Sequence, residues 1–400
     1  MHQSKYRSLR PVSRYAATII FMFLLTCSLA ASVKQVTVDC GGQTQGAFSA
    51  IQPAINSLDV TGPNQVLIVS GHPCSGNVNI ADRQRLTITG TNGTAAVTSA
   101  AGPNGDTFTI QGSTAIFLSN LDVSGGNRGI AIGRNSEVTI DSSSVHDNAG
   151  DGVSITDSLV NMTNSQLSNN GGNGVTLTRS RGSFQNMTVT GNFDGFSFFN
   201  GSSGQFTAPN SIQNNFVIGV DVENASSLQM FGVPANPPQA NVISGNGFAG
   251  LGIFSGHVAL FNNNTISSNG SGDPFSAGVR VDDNSTLLGF GSAGNIQITD
   301  NNGTGIDATA GGDVDVAGSV ITNNTGDGIR GLGHVHVVFF PPNSNTMSGN
   351  GGRSITCDES SVFVGDHTGV TGVYCAQSPV GSADRMKHKR MHDAERYKQR

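Results

Sequence analysis

Asn148-Ala149-Gly150-Asp151-Gly152-Val153-Ser154-Ile155 is echoed 22 residues later by Asn170-Gly171-Gly172-Asn173-Gly174-Val175-Thr176-Leu177. The same unit recurs from residue 105 onward. A marker glycine opens an alternating run at Gly129-Ile130-Ala131-Ile132, Gly195-Phe196-Ser197-Phe198, Gly219-Val220-Asp221-Val222, Gly250-Leu251-Gly252-Ile253, Gly278-Val279-Arg280-Val281, Gly305-Ile306-Asp307-Ala308 and Gly328-Ile329-Arg330. The intervals between marker glycines are 23, 22, 21, 24, 31, 28, 27 and 23 residues. A period in the low twenties signals a solenoid. The first position after each glycine is large and apolar, the third is apolar except at Gly331, and the second varies freely. That alternation predicts strands, with positions one and three facing in and position two facing out. Each inward Val or Ile contributes about 1.5–3 kcal/mol on burial.

A second strand is predicted at Val138–Ile140, Leu159–Met162, Phe184–Met187, Val258–Leu260, Val314–Val316 and Val335–Val337. A shorter third is carried by Val145, Leu167, Val189, Ile266 and Ile321. Three strands per turn describe a triangular coil. Asn148, Asn170, Asn215, Asn246, Asn301 and Asn324 lie four residues before a marker glycine, and Asn192 lies three before. Asn tolerates the left-handed region and suits a corner, where stacked side chains can bond one another in a ladder. Two units lack it, with Gly125 and Pro274 in its place. The longer intervals, around Pro234–Pro238 and Ser268–Ser276, are expected to be loops leaving the coil on one side. Phe339-Phe340-Pro341-Pro342 is expected to be another.

The 400 residues are only 12 % charged and 36 % hydrophobic, with 54 Gly and no Trp. This excludes a coiled coil, a helical bundle and a charge-rich disordered chain. Lys and Arg number 21 against 27 Asp and Glu, which argues against a nucleic-acid partner. Residues 1–31 carry Lys5, Arg7, Arg10 and Arg14, then an apolar run ending in small residues. This is the layout of a secretory signal peptide, too short for a membrane span. Cys27 only loosely fits a lipidation box. Residues 381–400 hold seven bases and three acids, and are expected to be a basic disordered tail. Between the ends, residues 32–380 hold ten bases and 24 acids, a net charge of −14. Such a body repels polyanions unless a divalent cation such as Ca2+ bridges them. No cofactor is otherwise expected. In an exported protein the remaining cysteines suggest two bridges, Cys40–Cys74 and Cys357–Cys375.

Phe48, Ile51, Ile55 and Leu58 form one helical stripe, predicting a capping helix at about 45–58. A solenoid needs such a cap over its open end. The chain therefore divides into a signal peptide (1–31), an N-terminal cap and first coils (32–104), repeat coils (105–352), a C-terminal cap (353–380) and the tail. The Phe48-Ser49-Ala50-Ile51-Gln52 to Ala54-Ile55 stretch, the Gly-Val-x-Ile units and the corner asparagines resemble the right-handed β-helix repeat proteins of the pectate-lyase-like superfamily. The resemblance spans about residues 35–375. It implies an all-β, right-handed parallel β-helix of about 10–12 coils. It leaves activity open, because that superfamily includes lyases, hydrolases, esterases, epimerases and non-catalytic proteins. Its lyase and polygalacturonase signatures are absent here.

Two constellations remain. On the marker strands the outward residues Asp221, Arg280, Asp307 and Arg330, with Glu223 and Asp282 two residues further along, are expected to share one exposed face. Paired carboxylates there would suit acid–base work on a glycosidic bond. The simpler alternative is a ladder of surface ion pairs, each contributing about 0–1 kcal/mol. Second, Asp313 and Asp315 are expected to stack on His334 and His336. Asp315 with His336 is then a weak metal candidate. His146 with Asp147 and Asp151 is expected to serve a turn. Phe199 and Phe254 are the outward aromatics available for sugar stacking. The expectation is a secreted or surface-held monomer that contacts extracellular polysaccharide without catalysis. A polysaccharide lyase or hydrolase using the acidic face, and a structural or adhesive rod, are the alternatives.

Overall fold

Burial of every second side chain organises the chain into three parallel sheets, of 14, 13 and 12 strands. The computed structural model describes residues 32–234, 237–292, 295–340, 345–365, 370 and 372–376. Residues 1–31, where a signal peptide is expected, with Cys27, Pro341-Pro342 and the basic residues 381–400, lie outside them. Each turn gives one strand to each sheet, and strands from successive turns pair in parallel. The marker strands build the 13-stranded sheet. Their first apolar residues align as Ile130, Val153, Val175, Phe196, Val220, Leu251, Val279, Ile306 and Ile329. All nine are fully buried. The helix Ile51–Asn56 covers the first coils through Ile51, Ala54 and Ile55. Cys40 is bridged to Cys74 and Cys357 to Cys375.

From the strand after Gly152 onward, the corner before each marker strand holds a buried asparagine ladder. Each amide Nδ2 donates to the Oδ1 one coil on. The run is Asn148, Asn170, Asn192, Asn215, Asn246, Asn269, Asn301, Asn324 and Asn350, at 2.8–3.2 Å. Two readings change here. The left-handed residue is not the ladder Asn but the one before it, such as Asp147 (φ 52°), Asn169 (φ 54°) and Asn214 (φ 53°). The unit with Pro274 also keeps its ladder member, Asn269, because loop residues are inserted between that Asn and Gly278.

The ladder also accounts for the marker glycines. A Cβ on Gly219, Gly250 or Gly278 would lie 2.6 Å from the amide nitrogen of Asn246, Asn269 or Asn301. The glycine is required for space. The next corner carries serines instead. The backbone N–H groups of Ser113, Ser136, Ser158, Ser180 and Ser202 each donate to the hydroxyl of the serine one coil on, at 3.1–3.2 Å.

The second strand predicted at Phe184–Met187 lies at Arg181–Gln185, and Asn186 turns with a positive φ. Strands Ser203–Thr207, Ser227–Phe231 and Thr286–Phe290 of that sheet are absent from the predicted set. In Ser203–Thr207 the cause is a core cluster of Phe184, Phe196, Phe198 and Phe206, with ring centroids 4.7–6.4 Å apart. A Cβ on Gly182 or Gly204 would run into the rings of Phe184 and Phe198. Glycine therefore replaces the expected inward Val or Ile. Phe339, expected in a loop, is instead buried at the end of strand His336–Phe339.

Asn215 shows what the ladder is worth. It accepts from the backbone and amide of Asn192 and donates to Asn246 and the Val189 carbonyl. Asn215→Ala strands several buried groups and should cost about 2–4 kcal/mol in a urea unfolding titration. The exposed Asn161→Ala should stay within about 0.5 kcal/mol.

Candidate functional site

The outward column of the 13-stranded sheet has the expected register: Ser197, Asp221, Gly252, Arg280, Asp307 and Arg330. It is not an exposed face. Asp221, Arg280 and Asp307 have relative exposures of 0 %, 3 % and 1 %. The 268–276 loop folds onto the column. The Arg280 Nη1 donates to the Phe275 carbonyl at 3.0 Å, and the Arg330 Nη1 to the Pro274 carbonyl at 3.4 Å. The Arg280 guanidinium lies 5.6 Å from the centre of the Phe248 ring. Arg330 binds both oxygens of Asp307 at 2.8 Å, while Arg280 lies 3.6 Å from Asp307 and 3.5 Å from Asp282. Burial works against the Arg330 charge, but Asp307 holds its pKa above the ordinary value.

A general acid must reach the substrate, and the Asp307 carboxylate is enclosed by two arginines. Glu223 and Asp282 are half-buried, with Phe254 between them in register. Phe254 leans over Gly252, where a Cβ would lie 2.8 Å from its ring. Phe199 lies at the end of its strand and is half-buried. The 233–238 segment, expected like 268–276 to leave the coil on one side, is flanked by an antiparallel bridge between Val233 and Gln239. It joins a strand of the 14-stranded sheet to one of the 12-stranded sheet, away from this column.

On the 14-stranded sheet Asp313 pairs with His336, and Asp315 with Val338. The Nδ1 of His336 lies 3.1 Å from Asp313. His334 is a turn residue with φ 65°, outside the stack. The expected stacking is thus shifted by two residues, because Val337 rather than Val335 faces Val314. Burial first and the charge of Asp313 second push the Asp315 pKa up, with His336 opposing them. Among the described residues no group of three or more His, Cys, Asp or Glu is placed to hold a metal ion. His146 is clasped by Asp122 at 2.6 Å and Asp147 at 2.8 Å, not by Asp151.

An open groove of about 660 Å³ crosses the outer face of the 14-stranded sheet. Successive coils contribute Leu159, Arg181, Ser203, Ser227 and His257 along one column. A second column supplies Ser183, Gln205, Gln229, Ala259 and Leu288. Coils repeat about every 4.8 Å, so these hydroxyls and amides form a regular polar track. Beside it runs a third column, Phe231, Phe261 and Phe290. Phe231 and Phe261 stack 5.0 Å apart, and Phe290 packs on Phe340. The stacked rings use their faces on each other and so form a wall, not a sugar platform. The polar signal was present in the sequence as Ser and Gln at one-coil intervals. It was hidden because the strands bearing Gln205 and Gln229 were not recognisable.

A family model for the right-handed β-helix region matches residues 68–217. In fold, the chain is similar to the A-modules of two mannuronan C-5 epimerases from Azotobacter vinelandii. For AlgE6 the TM-score is 0.57 at 16 % identity, over 83 % of this chain and 95 % of that one. For AlgE4 it is 0.57 at 15 % identity, over 79 % and 95 %. No protein of curated function is significantly similar in sequence. The chain is a right-handed parallel β-helix.

Asp307→Ala leaves two arginines without their shared counter-charge. It should cost about 3–5 kcal/mol and speed hydrogen exchange across residues 270–276. His146 gives a pH test. Burial disfavours its charge, but the hydrogen bonds to Asp147 and Asp122 outweigh this and raise its pKa. A raised folded pKa gives stability that is complete below the unfolded value of about 6.5 and lost as pH rises through the folded value. The stability gap between the wild type and His146→Gln should therefore shrink from pH 5 to pH 9 in denaturant titrations.

Proposed function

We propose that this right-handed parallel β-helix is an extracellular protein that binds a linear polysaccharide along the groove of its 14-stranded sheet, without turning it over. The observation that carries this is the groove itself: side chains that both donate and accept hydrogen bonds recur at coil spacing over an open surface. A sugar polymer presents hydroxyls at a similar repeat. The carboxylates best placed in sequence for acid–base work, Asp221 and Asp307, are buried. The two disulfides suit an oxidising compartment, and the basic-then-apolar layout of residues 1–31 suits export. The similar A-modules belong to enzymes named for a polysaccharide, which lends support at the level of fold alone.

Titration calorimetry against a panel of linear glycans tests the reading. At least one glycan should bind, and Gln205→Ala with Gln229→Ala should weaken it about tenfold, roughly 1.4 kcal/mol. No new reducing or unsaturated ends should appear. Turnover that Glu223→Gln or Asp282→Asn abolishes would replace binding with catalysis on the other sheet.

A further inference from the structure

We infer that the glycan taken by this groove is uncharged; this rests on the polysaccharide reading and narrows it. The lining contains no carboxylate and one permanent cation, Arg181, with His257 three coils on. From Leu159 to Leu288 the groove covers five coil steps, about 24 Å, or about five sugar units at one unit per coil. A polyuronate of that length would lay down five carboxylates against a single arginine. Each carboxylate left without a partner loses hydration that nothing replaces.

The surroundings reinforce this. Glu137 is the register neighbour of Leu159 at one end of the groove. Asp313 and Asp315 are the neighbours of Thr286 and Leu288 at the other. Carboxylates thus bracket both ends of a track that is itself almost neutral. The body between residues 32 and 380 adds a net charge of −14, which lowers the local concentration of any polyanion.

The acidic body attracts a cationic amino-sugar polymer from a distance, but the track itself offers no carboxylate to pair with its ammonium groups once bound. The lining does offer what an uncharged sugar needs. Ser183, Gln205 and Gln229 can each donate and accept toward hydroxyls. Leu159 and Leu288 supply apolar surface for the C–H faces of the rings.

Affinity electrophoresis of the full chain through gels holding a neutral mixed-linkage β-glucan, polygalacturonate or partly deacetylated chitosan tests this, with EDTA present. The glucan should retard the protein, with an affinity unchanged within twofold between 20 and 300 mM NaCl. Polygalacturonate should give at least tenfold weaker retardation. Ser183→Lys with Gln229→Lys should gain polygalacturonate binding that salt abolishes, showing that charge is what the wild-type groove lacks. Retardation by polygalacturonate or chitosan equal to or stronger than by glucan would overturn the inference while leaving the polysaccharide reading intact. Failure of all three polymers to bind would remove that reading, and this inference with it.

Discussion

A row of buried side-chain amides, each bonded to the same amide one turn on, fixes how this chain can fold. The interior of the Asn148–Asn350 ladder is closed to water, so every Nδ2 and Oδ1 must find a partner. That requirement sets the stacking of the coils. It excludes a Cβ at the marker position, and so it writes a glycine into each unit. It also constrains insertions: an excursion such as 268–276 can leave the coil between Asn269 and Gly278 and return without breaking the row. Serine hydroxyls at the next corner meet the same demand with a shorter side chain. Apolar burial supplies the driving force, and the corner ladders select one register.

A fixed register makes the outside of the molecule a set of columns, and each column has to be internally consistent. Like charges one coil apart would repel, so permanent charges on adjacent coils occur as alternating pairs. Arg128 with Asp106, Arg179 with Asp157 and Arg330 with Asp307 are each bound through two hydrogen bonds. The Arg280–Asp307–Arg330 run follows this rule and is then covered by a loop whose carbonyls cap the guanidiniums. It resembles a fastening for that loop more than a reactive centre.

The marker strands, their inward positions and the column order were legible in sequence, because a strict period-two alternation and a space-demanding glycine leave little freedom. Three things were not. Strands Ser203–Thr207 and Ser227–Phe231 went unrecognised; in the first, the Phe198 ring takes the volume that an inward side chain at Gly204 would otherwise fill. The burial of Asp221 and Asp307 depends on how surrounding side chains and a loop settle on the sheet, which alternation along one strand does not encode. The pairing of Asp313 with His336 depended on where a corner ends, and a two-residue shift keeps every inward residue inward, so hydrophobic pattern alone cannot choose.

The groove lies on strands that were not recognised, Ser203–Thr207 and Ser227–Phe231 among them. The aromatic cluster fills the inside of the sheet at Gly182 and Gly204, and the outward neighbours on those strands are Arg181, Ser183, Ser203 and Gln205. A bulkier inward residue would push the strand out or split the cluster. The track on the opposite side of the same sheet is set by those outward residues, not by the core. Because that track inherits the coil spacing, lengthening it by a turn adds one more similar step. That geometry suits an extended, repeating partner better than a compact one, since a compact ligand would use two or three coils and leave the remaining hydroxyls and amides to water.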